Sequence, residues 1–417
     1  IVTIHLSKIN YFLLLILTKG LRYMALTKKQ RELCAKILDE VYTNGAISRI
    51  DIANKTNITP ATVSSLTSQM VEEGLLYEAG ETFDKKNKAG RKKILLSICH
   101  DHSYFIGSEI SERYYTFSLT DNLGKIIAQT AYPLVNNEIH LTSEYFISKL
   151  QEFLLASPVS IKAIGIALPG HFNYIKADQI VTNNPLWQNF SLATIKGAFD
   201  LPVFFSNNVN CMALSEKLYS PDKEDNFLFF NLARGIYCSY VYCGEIFCKQ
   251  NFLVGEIGHT SVSLQGDLCE CGKRGCLQTY ASETWLLKKA ALLFESSTTT
   301  FLRQLATSPK DITLQTLLTA YRLGDSGVIL LIDTAINYIA LSLLNMTMIL
   351  DSSKVFIRGK LFSEPMIKKQ LLSLLNYESS LSSMTSANQF IVKNFDIYTG
   401  SIGATALALN RTLLNKL

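Results

Sequence analysis

The chain has 417 residues, of which 48% are hydrophobic and 18% are charged. This length exceeds one ordinary domain of about 150 residues, and the composition excludes a disordered or collagen-like chain. The net charge is only +5, so a nucleic-acid-binding function requires that positive charge be concentrated in one segment. Nine scattered cysteines, an odd number, favour a reducing compartment over a disulfide framework, and we expect a cytoplasmic protein.

Residues 1–23 contain an apolar run at 11–18 with flanking cations, which superficially imitates a signal peptide. The run is too short to span a bilayer, and no cleavage site of small residues follows it. We interpret residues 1–23 as a non-native or disordered extension, with a membrane anchor as the alternative. A second apolar stretch, at 328–350, is interrupted by polar residues, which predicts a buried helix and no membrane segment.

Residues 27–56 predict the first two helices of a helix-turn-helix. Apolar residues recur at helical spacing between 33 and 41, and Asn44-Gly45 ends the first helix. Ser48 is a suitable cap for a second, short helix, which ends at the turn formed by Asn57-Ile58.

A third helix begins at Thr59 and Pro60, because threonine is a good cap and proline at the first position loses no helical hydrogen bond. Val63, Leu66 and Met70 point inward at the helical period. The other faces carry short polar side chains, namely Thr62, Ser64, Ser65, Thr67, Ser68 and Gln69. Such a helix after a tight turn is typical of the recognition helix of a DNA-binding protein.

Two strand-like pieces, 75–77 and 94–96, flank a tip at 85–93 that holds six cations and no acid. This arrangement predicts a wing that contacts phosphate, although a solvated charge run is the alternative. We expect double-stranded operator DNA to contact Thr59, Thr62, Ser64, Ser65, Ser68, Lys85, Lys86, Lys88, Arg91, Lys92 and Lys93.

Beyond Ser97 strands alternate with helices, which predicts a mixed α/β body. The strands are expected at 104–110, 114–120, 125–130, 163–167, 203–205, 227–232, 237–242 and 354–358. The helices are expected at 141–155, 210–219 and 328–350, with a last one from about 402. The predicted organisation is therefore an extension at 1–23, a winged helix-turn-helix at 24–97 and the body at 98–417.

A compact group of thiols and one imidazole indicates a metal site. His259 ends the segment Gly255–His259, and Cys269, Cys271 and Cys276 follow within a short, glycine-containing loop. Three thiolates and one imidazole suit a tetrahedral Zn²⁺ and leave no open position, so the predicted zinc is structural. The other six cysteines lack such spacing and are interpreted as buried apolar residues.

These motifs resemble the ROK family of repressors and sugar kinases. The resemblance continues at 164–170, 207–210, 324–325 and 403–404, so it covers the chain beyond Ser97. It implies an actin/hexokinase-like, two-lobed body with a sugar cleft between the lobes, and a homodimer or dimer of dimers. A winged helix ahead of the body is typical of the family's repressor branch. This branch includes xylose and N-acetylglucosamine repressors.

The resemblance also implies that this chain has lost the kinase chemistry. The stretch matching the first phosphate loop, 107–112, lacks paired glycines and carries two carboxylates that would repel a phosphate. The second and third glycine sites, 232–237 and 357–360, are depleted as well. Asn208 stands where the kinases carry the catalytic aspartate, and an amide cannot take the proton of a sugar hydroxyl. We therefore expect no enzymatic activity.

By the same resemblance, the sugar-facing residues are Asn184, Asn207, Asn208, Glu256, His259 and Gln278. His259 can offer one ring nitrogen to zinc and the other to the sugar. Many family members carry Glu at the position of Gln278, so the sequence does not specify the sugar. Alternatively, Asn208 is a buried amide whose hydrogen bonds go to the backbone. The alternative for all six residues is a pocket that binds no sugar and only holds the dimer together.

The sequence thus predicts a cytoplasmic DNA-binding regulator, a repressor of carbohydrate-use genes such as those for xylose, which a sugar effector releases from DNA. Two alternatives stay open. One is a ROK sugar kinase with an accessory N-terminal domain, and the other is a regulator controlled by a protein partner.

Overall fold

A computed structural model describes residues 27–82, 92–135, 137–172, 180–181, 185–187, 190–221, 223–247, 253–376 and 389–414. The predicted extension at 1–23 lies outside these residues. The chain divides into two compact units. The first comprises Ile1–Ser206, Leu218–Lys223 and Ala404–Leu417, and the second comprises Asn207–Lys217 and Glu224–Gly403.

The first unit begins with a winged helix-turn-helix. Its helices are α1 (Lys28–Asn44), α2 (Arg49–Thr56) and α3 (Pro60–Glu72), and its antiparallel sheet has the order β1 (Ile47–Ser48), β3 (Lys93–Ile98), β2 (Leu76–Thr82). The Ser48 and Thr59 side chains accept hydrogen bonds from the first turns of α2 and α3, as their sequence positions predict. The predicted fold class and the inward positions of Val63, Leu66 and Met70 are confirmed.

The first unit also contains a five-stranded sheet, in the order β10, β7, β4, β5, β6. Its strands are β4 (Tyr104–Ile110), β5 (Tyr114–Thr120), β6 (Ile126–Pro133), β7 (Ile161–Leu168) and β10 (Val203–Asn207). A separate short pair consists of β8 (His171–Phe172) and β9 (Ile180–Val181). The helices of this region are α4 (Asn137–His140), α5 (Ser143–Leu155) and α6 (Leu192–Gly197). Phe117, Ile164 and Phe146 belong to the core between this sheet and α5.

The C-terminal segment joins the sheet to the winged helix inside the first unit. Helix α14 (Thr399–Leu409) passes so close to β7 that a Cβ at Gly165 would lie 1.9 Å from the Ala404 carbonyl oxygen. A π-helical turn, Asn410–Leu414, follows α14 and packs against α1. The Tyr42 hydroxyl of α1 also donates to the Asn122 carbonyl at 3.3 Å.

The second unit contains a five-stranded mixed sheet in the order β13, β12, β11, β14, β15. Its strands are β11 (Phe227–Leu232), β12 (Ile236–Tyr242), β13 (Glu245–Ile246), β14 (Lys354–Gly359) and β15 (Gln389–Val392). Its helices are α7 (Asn208–Tyr219), which ends in the first unit, α8 (Gln278–Ala281), α9 (Glu283–Ser296), α10 (Leu302–Leu305), α11 (Leu314–Arg322), α12 (Ser326–Thr347) and α13 (Pro365–Leu375).

Helix α12 is long and apolar enough to cross a bilayer by length and composition. Its residues Val328, Ile332, Ile336 and Ile339 are fully buried, and they lie in the core of the second unit. An apolar helix of this length is therefore explained by packing, as the interruptions in its sequence predict.

Candidate metal centre and DNA-binding surface

The four predicted metal ligands converge in the second unit. One ligand atom from each of His259, Cys269, Cys271 and Cys276 lies within 4.8 Å of all the others. Cys269 Sγ is 3.4 Å from His259 Nδ1, and Cys271 Sγ is 3.6 Å from Cys276 Sγ. The four residues that the sequence spacing singled out therefore form one cluster.

Two separations within this cluster are compatible with zinc. Bonds of about 2.3 Å to sulfur and about 2.0 Å to nitrogen place tetrahedral ligands roughly 3.5 to 3.8 Å apart. The separations of 3.4 Å between Cys269 and His259 and 3.6 Å between Cys271 and Cys276 lie close to this range. The donor set of three thiols and one imidazole is also the one that structural zinc sites use.

The loop backbone folds the ligands together. The Cys269 N–H donates to the Lys273 carbonyl at 2.8 Å, and the Val262 N–H donates to the Gly275 carbonyl at 2.8 Å. Gly275 has φ +63°, and a Cβ there would lie 1.5 Å from the Ser263 carbonyl oxygen. Only glycine permits this approach, which explains its place in the motif.

The thiols differ in their tendency to ionise. Burial raises the pKa of Cys276 to about 12, and burial also raises the pKa of Cys269. Burial alone would likewise raise the pKa of Cys271, but hydrogen bonds from the Lys273 backbone and the two other thiols hold it below its ordinary value. A cation that binds this cluster would displace the protons of the thiols that ligate it.

The interpretation of the remaining cysteines is partly wrong. Cys34, Cys211 and Cys238 are buried, but Cys99 is half-buried and Cys243 is exposed. Cys243 adopts φ +50° in the turn between β12 and β13, so turn geometry places its side chain outward. Cys248 lies outside the described residues.

Glu256 precedes a single 3₁₀ turn, Ile257–His259, and His259 is the last residue of that turn; both residues are half-buried. The contact with Cys269 shows that His259 turns Nδ1 toward the thiols. In this orientation Nε2 is the ring nitrogen that a second ligand could bind, and the sharing of His259 between a metal and a sugar stays a prediction.

Gln278 is buried and connects three segments. Its Nε2 donates to Glu270, a residue between two of the thiols, at 2.5 Å. Its Oε1 lies 3.4 Å and 3.3 Å from the positions that a Cβ would take on Gly235 and Gly258. Sequence reasoning missed Glu270, because the spacing of the metal ligands does not indicate which other side chains of the loop turn toward a neighbouring helix.

Asn207 and Asn208 lie at the end of β10 and the start of α7. The Val209 N–H donates to Asn207 Oδ1 and to Asn208 Oδ1, each at 2.9 Å. Asn207 Oδ1 also accepts from the Asn210 N–H at 3.3 Å, so this amide caps the helix. These bonds favour a backbone-bonding role for the oxygen atoms. Asn184 lies outside the described residues.

The recognition helix α3 presents the predicted hydroxyl groups. Ser64, Ser65, Ser68 and Thr59 are exposed, and Thr62 is half-buried. Thr59 Oγ1 and Thr62 Oγ1 are 2.8 Å apart and form one hydrogen-bonded pair at the start of the helix. The surface therefore offers small donors and acceptors of the kind that fit base edges and phosphates.

Thr67, in contrast, does not lie on a free face. It is fully buried, its hydroxyl donates to the Val63 carbonyl at 2.8 Å, and it accepts from Arg49 Nε at 3.0 Å. Its prediction as a surface residue is wrong because an arginine from the preceding helix covers it. Arg49 is not among the predicted DNA-binding residues.

The wing is described only at its base. Lys92 Nζ lies 2.7 Å from Glu81 Oε2, and Lys93 Nζ lies 3.1 Å from Asp51 Oδ1. Both lysines thus have carboxylate partners within the DNA-binding domain. The other predicted wing contacts, Lys85, Lys86, Lys88 and Arg91, fall in 83–91, outside the described residues.

Family comparisons cover both parts of the chain. A model of the ROK family matches residues 105–411, and a model described as Winged helix-turn-helix DNA-binding matches residues 35–77.

Two relatives span nearly the whole chain. The Xylose repressor of Bacillus subtilis is 26% identical over 381 residues, which cover 89% of this chain and 92% of that protein. The DNA-binding transcriptional dual regulator NagC of Escherichia coli is 25% identical over 385 residues, which cover 89% of this chain and 90% of that protein.

Solved structures share the fold. A ROK family transcriptional regulator, a homolog of the E. coli MLC protein, has a TM-score of 0.73 at 22% identity and covers 93% of this chain and 98% of its own. A ROK family glucokinase from Streptomyces griseus, in complex with glucose and AMPPNP, has a TM-score of 0.60 at 20% identity and covers 73% of this chain and 99% of its own.

Proposed function

The chain belongs to the ROK family, and we propose that it is a cytoplasmic DNA-binding repressor of carbohydrate-use genes whose affinity for operator DNA is lowered by a sugar. One observation carries the proposal. An exposed row of hydroxyls, Ser64, Ser65 and Ser68, lies on the recognition helix of a winged helix-turn-helix that precedes a ROK body. Relatives that match nearly the whole chain are named repressors.

In this function α3 enters the major groove, and its serine hydroxyls hydrogen-bond base edges or phosphates. The cations of the wing neutralise phosphates beside the groove. A homodimer would present two recognition helices at the spacing of two half-sites. A sugar that prefers another arrangement of these helices would weaken DNA binding by linkage.

A structural Zn²⁺ held by His259 and the three thiols supports the effector site in this proposal. The ion would stabilise the loop that carries Glu270 and fix the ring plane of His259. Glu256, His259 and Gln278 would then offer hydrogen bonds to neutral sugar hydroxyls. Xylose and N-acetylglucosamine are the first sugars to test, because the names of relatives refer to them.

The arrangement of β14 supports a regulator over a kinase. Arg358, in the depleted third glycine site, is buried and donates to Asn231 Oδ1 at 2.9 Å and to the Asp396 carbonyl at 2.7 Å. A large, hydrogen-bonded side chain thus stands in the segment that the family resemblance assigns to the third glycine site, where a phosphate site would favour bare backbone.

Selection of duplexes from a random-sequence library by the full chain tests DNA recognition directly. We expect one sequence class to be enriched and to bind at least about 1,000-fold more tightly than a scrambled duplex at physiological salt. Failure to enrich any class, with folded and metal-replete protein, would count against the proposed function.

Neutralising the wing with Lys85→Gln and Lys86→Gln is expected to weaken binding to selected and scrambled duplexes alike. Each phosphate interaction that the substitutions remove should reduce the slope of log affinity against log salt concentration by about one. Fluorescence anisotropy over a series of salt concentrations measures both quantities. An unchanged slope would show that these lysines do not contact DNA.

Asn208→Asp is expected not to create a sugar kinase. It restores a general base worth about a hundred- to ten-thousand-fold in rate, but the phosphate loops remain degenerate. A coupled assay for ADP release, with xylose, glucose and N-acetylglucosamine, measures this. Sugar-dependent ADP release by the unmodified, homogeneous protein would instead favour the kinase alternative.

A further inference from the structure

Arg49, the first residue of α2, connects the recognition helix to the wing. Its Nε donates to Thr67 Oγ1 on α3 at 3.0 Å. Its terminal nitrogens donate to Glu78 Oε1 on β2 at 3.4 Å and 3.3 Å. One guanidinium therefore bridges the two elements that the proposed function places against DNA.

The Thr67 hydroxyl accepts the hydrogen bond from Arg49, because its proton is donated elsewhere. Thr67 is fully buried, and its single proton goes to the Val63 carbonyl at 2.8 Å, with the Ser64 carbonyl at 3.2 Å. The oxygen lone pairs then face Arg49 as an acceptor. Because the hydroxyl proton is used inside α3, the oxygen serves Arg49 Nε only as an acceptor, and this hydrogen bond restrains the guanidinium.

The ion pair between Arg49 and Glu78 gains strength because Thr67 already restrains the Arg49 side chain. The Arg49 side chain is 24% exposed and that of Glu78 is 49% exposed, and an isolated ion pair with this exposure would contribute little. Here the guanidinium is already fixed by Thr67, so the pair is formed with little further loss of side-chain freedom. The wing strand is thereby tied to the recognition helix.

We propose that Arg49 is a positioning residue for DNA recognition. Through Thr67 and Glu78 it sets the orientation of α3 relative to β2, so that Ser64, Ser65 and Ser68 reach base edges while the wing reaches the backbone. This inference rests on the proposed DNA binding. A positioning role affects sequence-specific affinity most, because nonspecific binding depends on charge and tolerates many orientations.

The test uses the full chain, a duplex enriched by the wild-type protein and a scrambled duplex of equal length. Thr67→Val removes the acceptor but keeps the shape of the side chain, and Thr67→Ser keeps the hydroxyl. Glu78→Gln removes the charge of the wing partner. Glu40→Gln is the matched control, because Glu40 lies on α1 and forms an ion pair with Lys55 of α2, at 3.8 Å, in the same domain.

We expect Thr67→Val and Glu78→Gln to raise the Kd for the enriched duplex by about tenfold and to leave the Kd for the scrambled duplex within about twofold. The salt slope should stay unchanged. Thr67→Ser should behave like the wild type. Glu40→Gln removes the same charge as Glu78→Gln and should not weaken either complex, which separates positioning from net charge.

Two results would overturn the inference. One is wild-type affinity of Thr67→Val and Glu78→Gln for the enriched duplex. The other concerns Arg49→Met. If this variant lost the same affinity for both duplexes and its salt slope fell by about one, Arg49 would be a phosphate-binding residue. If the wild-type chain enriches no duplex, the proposed function itself is wrong, and the inference is wrong with it.

Discussion

If the proposed zinc is bound, replacing Cys271 with Ser is expected to abolish its binding and to lower the free energy of unfolding of the second unit by roughly 4 kcal/mol or more. Cys271 is exposed, so in a chain without metal its sulfur contributes little packing. A large loss of stability at this position would therefore come from the missing coordination bond.

Cys243→Ser is the matched control, because Cys243 is an exposed thiol of the same unit outside the metal cluster. Metal content after purification under reducing conditions and thermal unfolding should be measured for both variants. We expect one equivalent of zinc in the control and none in Cys271→Ser. Equal unfolding midpoints in the two variants would contradict a structural metal.

Gly165→Ala is expected to destabilise the first unit by roughly 3 kcal/mol or more. The new Cβ would lie 1.9 Å from the Ala404 carbonyl oxygen and 2.8 Å from its carbon, so strand β7 or helix α14 must move. Because the turn after α14 packs against α1, we also expect weaker DNA binding. Denaturant unfolding and duplex binding measure the two effects.

Gly197→Ala is the control for this change. Gly197 ends helix α6, and a Cβ there would have no atom within 4 Å. Alanine should leave stability unchanged or raise it by up to about 1 kcal/mol, because it restricts the unfolded chain. If both alanine variants unfolded at the wild-type denaturant concentration, the close approach of β7 and α14 would be wrong.

The winged helix was predictable because its signals are local. Ser48 and Thr59 cap the helices they precede, and Val63, Leu66 and Met70 repeat at the helical period. Caps and periodicity act within a few residues, so the sequence carries them directly. Ends of elements were less predictable. The last helix, expected from about 402, begins at Thr399.

The metal cluster was also predictable from spacing, since three of its ligands lie in one short loop. The contacts around it were not. The Glu270 and Gln278 side chains form a hydrogen bond. Arg49 forms hydrogen bonds with Thr67 and Glu78, which lie 18 and 29 positions further along the chain. Such contacts depend on rotamers and on packing between elements, and no local pattern in the sequence specifies them.

In the proposed function a sugar and DNA weaken each other's binding to one protein, and reciprocal titration measures this coupling. The Kd for the enriched duplex should be measured with and without a sugar, and the Kd for the same sugar with and without the duplex. We expect that one sugar weakens DNA binding by at least about fivefold, and that DNA weakens binding of this sugar by the same factor. A sugar that binds with equal affinity to the free and DNA-bound protein, and leaves the Kd for DNA unchanged, would contradict it.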